Sequence, residues 1–490
     1  MDVVTLRGMS EIRAYLRTNR TPVYFVSPTP FNLLGLDRWM RDLYYLTYYD
    51  SFEGTHGRVF VPNDRPYHEF TSIEDVCNYL LQHKEAIDFV ADKGSGLAAF
   101  VMFDEETERL CSDIGLRVAH PTARLRKHLD SKIVTTRLGN ESGVPSVPNV
   151  LGRATTYDEL RALAATGGLG EDLVVQSPYG DSGKTTFFIR GERDWAANGA
   201  TLAGDELKVM RRIRPREVCV EACITRHGVL VGPFIDSMVG LPELTPYKGG
   251  WCGNEIYPGV LTVSQRETAA DMTKRLGDRL AKEGYRGFFE LDYLVDEDTG
   301  DLYLGEINPR VSGLSPITHV TLASYADMPL FLFHLLEYLD VDYEIDVDEL
   351  NGRWALFAAD DEWSQLIIKE PGSDVELFTE TPRTGVWYMG DDGSIRYGRW
   401  GADWHGLVDE EEAFYLRVSS PGDYRYKGAD LGVLVARGRM QTDDGQLTER
   451  CRRWLDGLHA LFRGIPVEPE RAPIERGPFA FKAPLDELGA

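Results

Sequence analysis

The order of apolar and polar residues predicts an α/β layer in roughly the first 120 residues. Apolar runs typical of buried strands occur in PVYFV (22–26), in the aromatic LYYLTYYDSF (43–52) and in GLAAFVMF (96–103). They alternate with segments of helical periodicity, SIEDVCNYLLQHKEAI and TERLCSDIGLRV. Strands that alternate with helices favour an α/β sheet. We expect the aromatic run to lie in the core.

The middle third predicts further strands and one well-marked helix. LVVQ (173–176) is a short apolar strand that runs into a glycine-bearing turn, PYGDSGKTTFFIR, with a returning strand, and VCVEACI (218–224) is another strand. In SQRETAADMTKRLGDRLAKEG (264–284), Ser264 and Glu267 form a capping-box pattern ahead of regularly spaced apolar residues.

Beyond about residue 340 the pattern predicts a β-rich region. Short alternating segments with turn residues follow one another, and we expect strands in RWALFAADD (353–361), GVWYMGDDGSIRYGRW, FYLRVSSPGD and LGVLVARG. LTERCRRWLDGLHALF predicts one helix near the end of the chain.

The net charge of −25 argues against nucleic acid as a partner, because phosphate backbones select basic surfaces. No stretch of about eighteen apolar residues occurs, so no membrane span is expected. No cysteine belongs to a CxxC pair, which favours neither a zinc site nor a disulfide framework and suits a reduced, cytoplasmic location. The six cysteines are Cys77, Cys111, Cys219, Cys223, Cys252 and Cys451.

The strongest chemical signal is GYRGFFELDYLVDEDTGDLYLGEINPRVSGLSPITH (284–319). It predicts two strands joined by a turn-rich connection, with Glu290 directly opposite Glu306 and with Asn308 on the same patch. Carboxylate and amide oxygens are the ligands that a hard dication prefers, and Arg310 just beyond them can hold a carboxylate or phosphate. A solvated acidic hairpin is the alternative, but facing carboxylates repel unless a cation lies between them.

FELDYLV…LYLGEINPR closely resembles the magnesium-binding end of ATP-grasp enzymes, in their biotin-carboxylase-like branch. The resemblance implies an ATP-grasp fold between an N-terminal α/β domain and a β-rich C-terminal domain. It implies that Glu290, Glu306 and Asn308 hold Mg²⁺ or Mn²⁺ that bridges ATP phosphates. It implies further that Arg310 contacts the reacting carboxyl or acyl-phosphate group.

The same resemblance extends to upstream residues. LDSKIVTTRLGNESGVPSVPN (129–149) places Lys132 at a lysine that contacts ATP phosphates in the family. The PYGDSGKTTFF turn, with Ser182, Gly183 and Lys184, takes the place of the glycine-rich phosphate loop. The family's strand lysine is replaced by Gln176, and we hypothesise that Lys184 supplies the missing charge.

Two other segments are matched by analogy. VCVEACI resembles the hinge strand between the two ATP-grasp halves, so Glu221 is expected to bind the adenine amino group. Backbone groups of Cys223 and Ile224 would complete the contact with the base. The glycine-rich loop ELTPYKGGWCGNEIYPG (243–259) faces the reaction centre in the family, and its candidates are Lys248, Asn254 and Glu255.

We expect domains at 1–120, 121–340, with a lid at about 148–225, and 341–490. The expected reaction is ATP-dependent activation of a carboxylate, such as an amino acid or small peptide, as an acyl phosphate that an amine attacks. A biotin carboxylase is the nearest alternative, although Ser312 and Leu314 stand where its Gln and Glu would be. A catalytically silent ATP-binding protein is a third reading. The partners expected are the two small-molecule substrates, and dimers are common among proteins of this resemblance.

Overall fold

The computed structural model describes residues 5–63, 70–180, 185–358 and 360–467. The N-terminal segment forms the predicted α/β layer, a parallel sheet of order β4-β3-β2-β5-β6. Every residue of β2 and β3 is buried, as expected for a parallel sheet covered on both faces. The elements are β1 (Thr5–Arg7), α1 (Gly8–Thr18), β2 (Val23–Ser27), β3 (Leu43–Thr47), β4 (Val59–Phe60), α2 (Ile73–Gln82), α3 (Lys84–Lys93), β5 (Leu97–Phe100), α4 (Glu105–Asp113), β6 (Arg117–Val118) and α5 (Ala123–Leu129).

A small antiparallel sheet of order β7-β10-β8-β9 follows. Its own apolar core includes Leu160, Leu173, Val175 and Val209. Strand β8 has the bounds that the sequence predicted for LVVQ. The elements are α6 (Lys132–Glu141), β7 (Asn149–Gly152), α7 (Tyr157–Thr166), β8 (Leu173–Gln176), β9 (Thr186–Ile189), α8 (Glu192–Leu202) and β10 (Leu207–Arg211).

From β10 the chain crosses to a larger antiparallel sheet. That part comprises β11 (Pro215–Thr225), β12 (Gly228–Val239), β13 (Trp251–Ile256), α9 (Val263–Lys282), β14 (Gly287–Asp296) and β15 (Leu302–Asn308). Helix α9 packs Met272, Leu276 and Leu280 into the core beneath β11 and β14. The helix is as predicted, but its capping box is formed by Thr262 and Gln265, two residues earlier than the sequence suggested.

The remaining chain continues the larger sheet, because β17 pairs with β13 and gives the order β15-β14-β11-β12-β13-β17-β23-β21-β19-β20. These elements are α10 (Ser315–Thr318), α11 (Leu322–Ala326), α12 (Leu330–Tyr338), β16 (Asp342–Glu344), α13 (Val347–Phe357), β17 (Trp363–Lys369), β18 (Glu376–Glu380), β19 (Gly385–Met389), β20 (Ile395–Arg399), β21 (Glu412–Arg417), β22 (Tyr424–Arg425), β23 (Asp430–Arg437), α14 (Glu449–His459) and β24 (Arg463–Pro466). The β-rich character and the helix near the end of the chain are confirmed.

The strand predicted in RWALFAADD is wrong, because most of the segment belongs to helix α13. The side chain of Asp346 caps this helix by accepting a hydrogen bond from the Glu349 backbone N–H. Leu350 and Trp354, four residues apart, then bury one face of the helix. None of the described helices is both long enough and apolar enough to cross a membrane.

Candidate functional site

The hairpin of β14 and β15 forms as predicted, but its register differs from the prediction. Glu290 pairs with Asn308, and Asp292 pairs with Glu306, so Glu290 does not lie opposite Glu306. A β-bulge between the pairs Asp292–Glu306 and Tyr293–Leu304 leaves Gly305 as an extra residue and sets the register of the pairs beyond it.

The bulge decides which face the acidic side chains occupy. Nearer the turn, Leu294 pairs with Tyr303, and this register would pair Asp292 with residue 305. Glu306 and Asn308 would then point away from Glu290, because side chains alternate along a strand. One extra residue in β15 brings the polar side chains of the two strands to the same face.

Strand β11 extends that face with a third row. Its residue Cys219 pairs with Asp292, and Glu221 pairs with Glu290. The Cys219 thiol donates to Asp292 Oδ1 at 2.9 Å, and Asn308 Nδ2 donates to Asp292 Oδ2 at 3.2 Å. We call the five carboxylates of this face the acidic patch, and they are Glu217, Glu221, Glu290, Asp292 and Glu306.

The acidic patch is electrostatically unfavourable without a cation. Burial and the charge of Glu221 raise the pKa of Glu290 to about 8, although Arg310 opposes the shift. Burial and the charges of Glu290 and Glu306 raise the pKa of Asp292 well above its usual range. Burial and Asp292 raise the pKa of Glu217 to about 8.

A divalent cation would relieve this repulsion and favour the ionised carboxylates. The donor set is carboxylate and amide oxygen, which suits Mg²⁺ or Mn²⁺. The residues present therefore fit the predicted metal, with Asp292 as an additional candidate ligand beside Glu290, Glu306 and Asn308.

Lys132 lies against the acidic patch from the start of α6. Its Nζ atom is 2.6 Å from Glu306 Oε2 and donates to the carbonyl of Gly180 at 3.1 Å. The Lys132 backbone N–H also donates to the Pro178 carbonyl. This lysine therefore connects α6, strand β15 and the loop that follows β8, and its phosphate-binding role stays a prediction.

Gln176 ends strand β8 on the small sheet. Its Nε2 atom donates to Thr186 Oγ1 at 3.0 Å. Across the strand pair, its direct partner is Lys208 on β10. Lys208 is only 1% exposed, and burial lowers its pKa to about 8 against the opposing effect of Glu306. Ser182, Gly183 and Lys184 lie outside the described residues.

The hinge interpretation of VCVEACI is wrong. Strand β11 lies inside the larger sheet, with β14 on one side and β12 on the other, so the backbones of Cys223 and Ile224 are already paired on both sides. The connection between the two sheets is instead Arg212–Arg214. Glu221 is fully buried and accepts hydrogen bonds from the hydroxyls of Ser312 and Ser315 at 2.9 and 2.7 Å.

Arg310 opens the turn that leads from β15 to α10. It is partly buried, and its charge opposes the rise in the pKa of Glu290. Asn32, from the N-terminal segment, donates to the Ser312 carbonyl at 2.7 Å, and Trp251 packs so tightly on Gly313 that a Cβ there would lie 2.4 Å from the indole. Leu314 is buried in the apolar core.

The three candidate residues of segment 243–259 lie in different surroundings, since Asn254 and Glu255 belong to strand β13. Lys248 is exposed, and its side chain makes no hydrogen bond or ion pair with a described residue, so its catalytic role stays a prediction. Asn254 lies inside the sheet, where it accepts from Trp251 Nε1 and from Gln365 Nε2. Glu255 is fully buried and accepts from Ser364 Oγ and the Gln441 backbone N–H, which is a structural role.

Sequence reasoning missed Glu217, Cys219 and Lys208 as neighbours of the site. For the first two a signal was present, because Glu217, Cys219 and Glu221 alternate along PREVCVE and must share a face of the strand. Lys208 gave no such signal, since its position depends on how the two sheets meet.

A plant carboxylase subunit is similar in sequence to part of this chain. No family model matches the chain. The alpha subunit of methylcrotonoyl-CoA carboxylase of Arabidopsis thaliana is 20% identical over 227 residues, which is 45% of this chain. The aligned segment spans only 30% of that protein's length.

Solved structures align over nearly the whole chain. The biotin carboxylase domain of Hydrogenobacter thermophilus 2-oxoglutarate carboxylase, a complex with MgADP, ADP and bicarbonate, has a TM-score of 0.61 at 14% identity and covers 91% of each chain. Biotin carboxylase of Campylobacter jejuni has a TM-score of 0.61 at 13% identity, covering 91% of this chain and 92% of that one.

A third structure extends the likeness. N5-carboxyaminoimidazole synthase of Aspergillus clavatus, in complex with ADP and 5-aminoimidazole ribonucleotide, has a TM-score of 0.54 at 13% identity. The alignment covers 90% of this chain and 99% of that one. The protein therefore has an ATP-grasp fold. Within that class its fold is of the biotin-carboxylase-like type, and the predicted resemblance is confirmed at the level of the fold.

Proposed function

We propose that this protein is an ATP-dependent ligase that activates a carboxylate, such as an amino acid or small peptide, for attack by an amine. The observation that carries the proposal is the acidic patch, in which Glu221 and Glu290 are buried, with Lys132 held against Glu306. A cation would relieve the repulsion among these carboxylates, and once it binds Glu306, Lys132 needs another anion as its partner. A nucleoside triphosphate with Mg²⁺ supplies both the cation and the anion.

Glu290, Asp292, Glu306 and Asn308 would hold the metal. When bound, Mg²⁺ or Mn²⁺ would neutralise charge on the β- and γ-phosphate oxygens of ATP. Lys132 would contact the same phosphate chain, and Ser182, Gly183 and Lys184 belong to the loop that we expect to cover it. The similar structures include complexes with MgADP, ADP and beta-gamma-ATP, which supports ATP and magnesium as the ligands.

The reaction we propose has two steps. A substrate carboxylate oxygen forms a bond to the γ-phosphorus while the bond from that phosphorus to ADP breaks. The amine nitrogen then bonds to the acyl carbon, the C–O bond to phosphate breaks, and the amine loses a proton. Arg310, whose charge acts on Glu290, would stabilise the acyl phosphate and its developing oxyanion.

The residues after Arg310 argue against carboxylation of biotin. Position 314, where the resemblance places a glutamate base, is a leucine that is 4% exposed and packed in the core. A buried hydrocarbon cannot accept a proton. Ser312, at the other differing position, donates a hydrogen bond from its hydroxyl to Glu221.

The experiment is to incubate the purified full chain with ATP, MgCl₂ and a panel of carboxylates and amines, and to measure ADP and phosphate. Hydroxylamine in place of the amine should trap an acyl phosphate as a hydroxamate. Carboxylate-dependent ADP release with hydroxamate supports the proposal. Hydrolysis that requires biotin and bicarbonate would instead show a biotin carboxylase, and ATP binding without ADP formation across the panel would show a silent ATP-binding protein.

A homodimer and the domain limits predicted above are also part of the proposal. The Hydrogenobacter biotin carboxylase domain is described as a dimer. Light scattering of the full chain at micromolar concentration would give the mass of the particle, which for a dimer is twice 55.2 kDa.

A further inference from the structure

Lys208 is a buried cation without a close partner. Its side chain stands on β10 at 1% exposure, and its nearest polar contacts are Ser146 Oγ and the Gly305 carbonyl, both at 3.4 Å. No carboxylate of the described residues lies within the 4.0 Å that would make an ion pair with it. Burying a charge in this way is unfavourable unless an anion compensates it.

The position of Lys208 points to where that anion binds. Lys208 reaches Gly305, the residue next to Glu306, and both Glu306 and Lys132 act on its charge. Two ammonium groups thus converge on one end of the acidic patch, where they repel each other. Lys132 is paired with Glu306, but once a metal ion takes up that carboxylate, an anion with several charged oxygens could bind both ammonium groups at once.

We propose that Lys208 binds the phosphate chain of the nucleotide. From strand β10 it performs the role that a lysine at position 176, on strand β8, would have. The inference rests on the proposed ATP binding. Gln176 and Lys208 are directly paired, so their side chains lie on the same face of the small sheet. An ammonium group on β10 can therefore serve the same space as one at the end of β8.

The test is ADP binding, measured by calorimetry with MgCl₂, to the wild-type chain and to Lys208→Met and Lys208→Gln. We expect the dissociation constant for ADP to rise about tenfold or more in both variants, because each loses a charge-assisted hydrogen bond. Gln176→Lys combined with Lys208→Gln should recover part of the affinity. Lys282→Met, which removes an exposed lysine at the end of α9, should leave ADP binding unchanged.

A second measurement separates binding from structure. Lys208→Met should raise the melting temperature of the nucleotide-free protein, because it removes an uncompensated buried charge, while it diminishes the stabilisation by ADP. Equal ADP affinity in wild type and both Lys208 variants would overturn the inference and leave the proposed function intact. Failure of the wild-type chain itself to bind ADP or ATP would overturn the proposed function first.

Discussion

Lys132 Nζ lies 2.6 Å from Glu306 Oε2, and this ion pair links the start of helix α6 to strand β15. The lysine is almost fully buried, whereas the glutamate carboxylate keeps some access to solvent. In the absence of ligand each group therefore neutralises the other. If Glu306 bound a metal ion and Lys132 bound a phosphate, two stronger ionic contacts would replace this ion pair.

Glu306→Gln should separate these roles. The amide keeps the shape of the side chain but removes the charge that a dication needs. We therefore expect the gain in ADP affinity on adding MgCl₂ to be at least about tenfold smaller than in the wild type. Calorimetric titration of ADP at several MgCl₂ concentrations measures it. Glu297→Gln, in the hairpin turn away from the patch, is the matched control. Unchanged Mg²⁺ dependence in Glu306→Gln would contradict the metal assignment.

Glu290 predicts a pH dependence of stability. Its pKa is raised to about 8, so the folded protein keeps a proton that the unfolded chain loses near pH 4.5. Its stabilising contribution is thus complete below pH 4.5 and is lost as the pH rises to 8. Melting temperatures in EDTA should fall between pH 6 and pH 8.5, and MgCl₂ should restore them.

Glu290→Gln is the variant that isolates this effect. The neutral amide should flatten the pH dependence in EDTA, raise the melting temperature at pH 8.5 by about 1 °C or more, and abolish most of the response to MgCl₂. A variant with the same pH profile as wild type would show that Glu290 is not strained in the metal-free protein.

Substitutions of Glu221 distinguish its structural role from the predicted contact with the adenine amino group. Glu221→Ala leaves the hydroxyls of Ser312 and Ser315 without their acceptor in a buried site, which costs roughly 1–3 kcal/mol for each unsatisfied group. Glu221→Gln keeps an acceptor and should be milder. The two variants should therefore differ in melting temperature but not in their preference for ADP over GDP. A relaxed base preference in Glu221→Gln would restore the adenine hypothesis.

Leu314→Glu tests whether the biotin carboxylase pattern can be restored. Because Leu314 is buried among apolar side chains, an added carboxylate would lack a hydrogen-bond partner and should destabilise the protein by several kcal/mol. Thermal unfolding measures this, with Leu314→Met as the volume-matched control. We also expect no biotin-dependent ATPase activity. A stable Leu314→Glu variant that gains this activity would favour the alternative function.

Much of the fold was readable because the periodicities are local. The N-terminal α/β layer, strands β8, β14 and β15, and helices α9 and α14 all follow from repeats of two or about four residues. The segment around Trp354 was misread because an apolar run can suit either element, and the capping by Asp346 decided for helix.

The sequence by itself determined that Glu290, Glu306 and Asn308 lie on one hairpin, since short-range alternation and a turn suffice for that. It did not determine the register, because a single bulge at Gly305 moves every following side chain to the other face. Nor could it place Glu221 inside the sheet rather than between the two sheets. The approach of Lys132 and Lys208 to the acidic patch was decided by the tertiary structure alone, because Lys132 lies 174 positions from Glu306 and Lys208 lies 97 positions from Gly305. Contacts over such separations in the chain form only when helix α6 and the small sheet pack against strand β15.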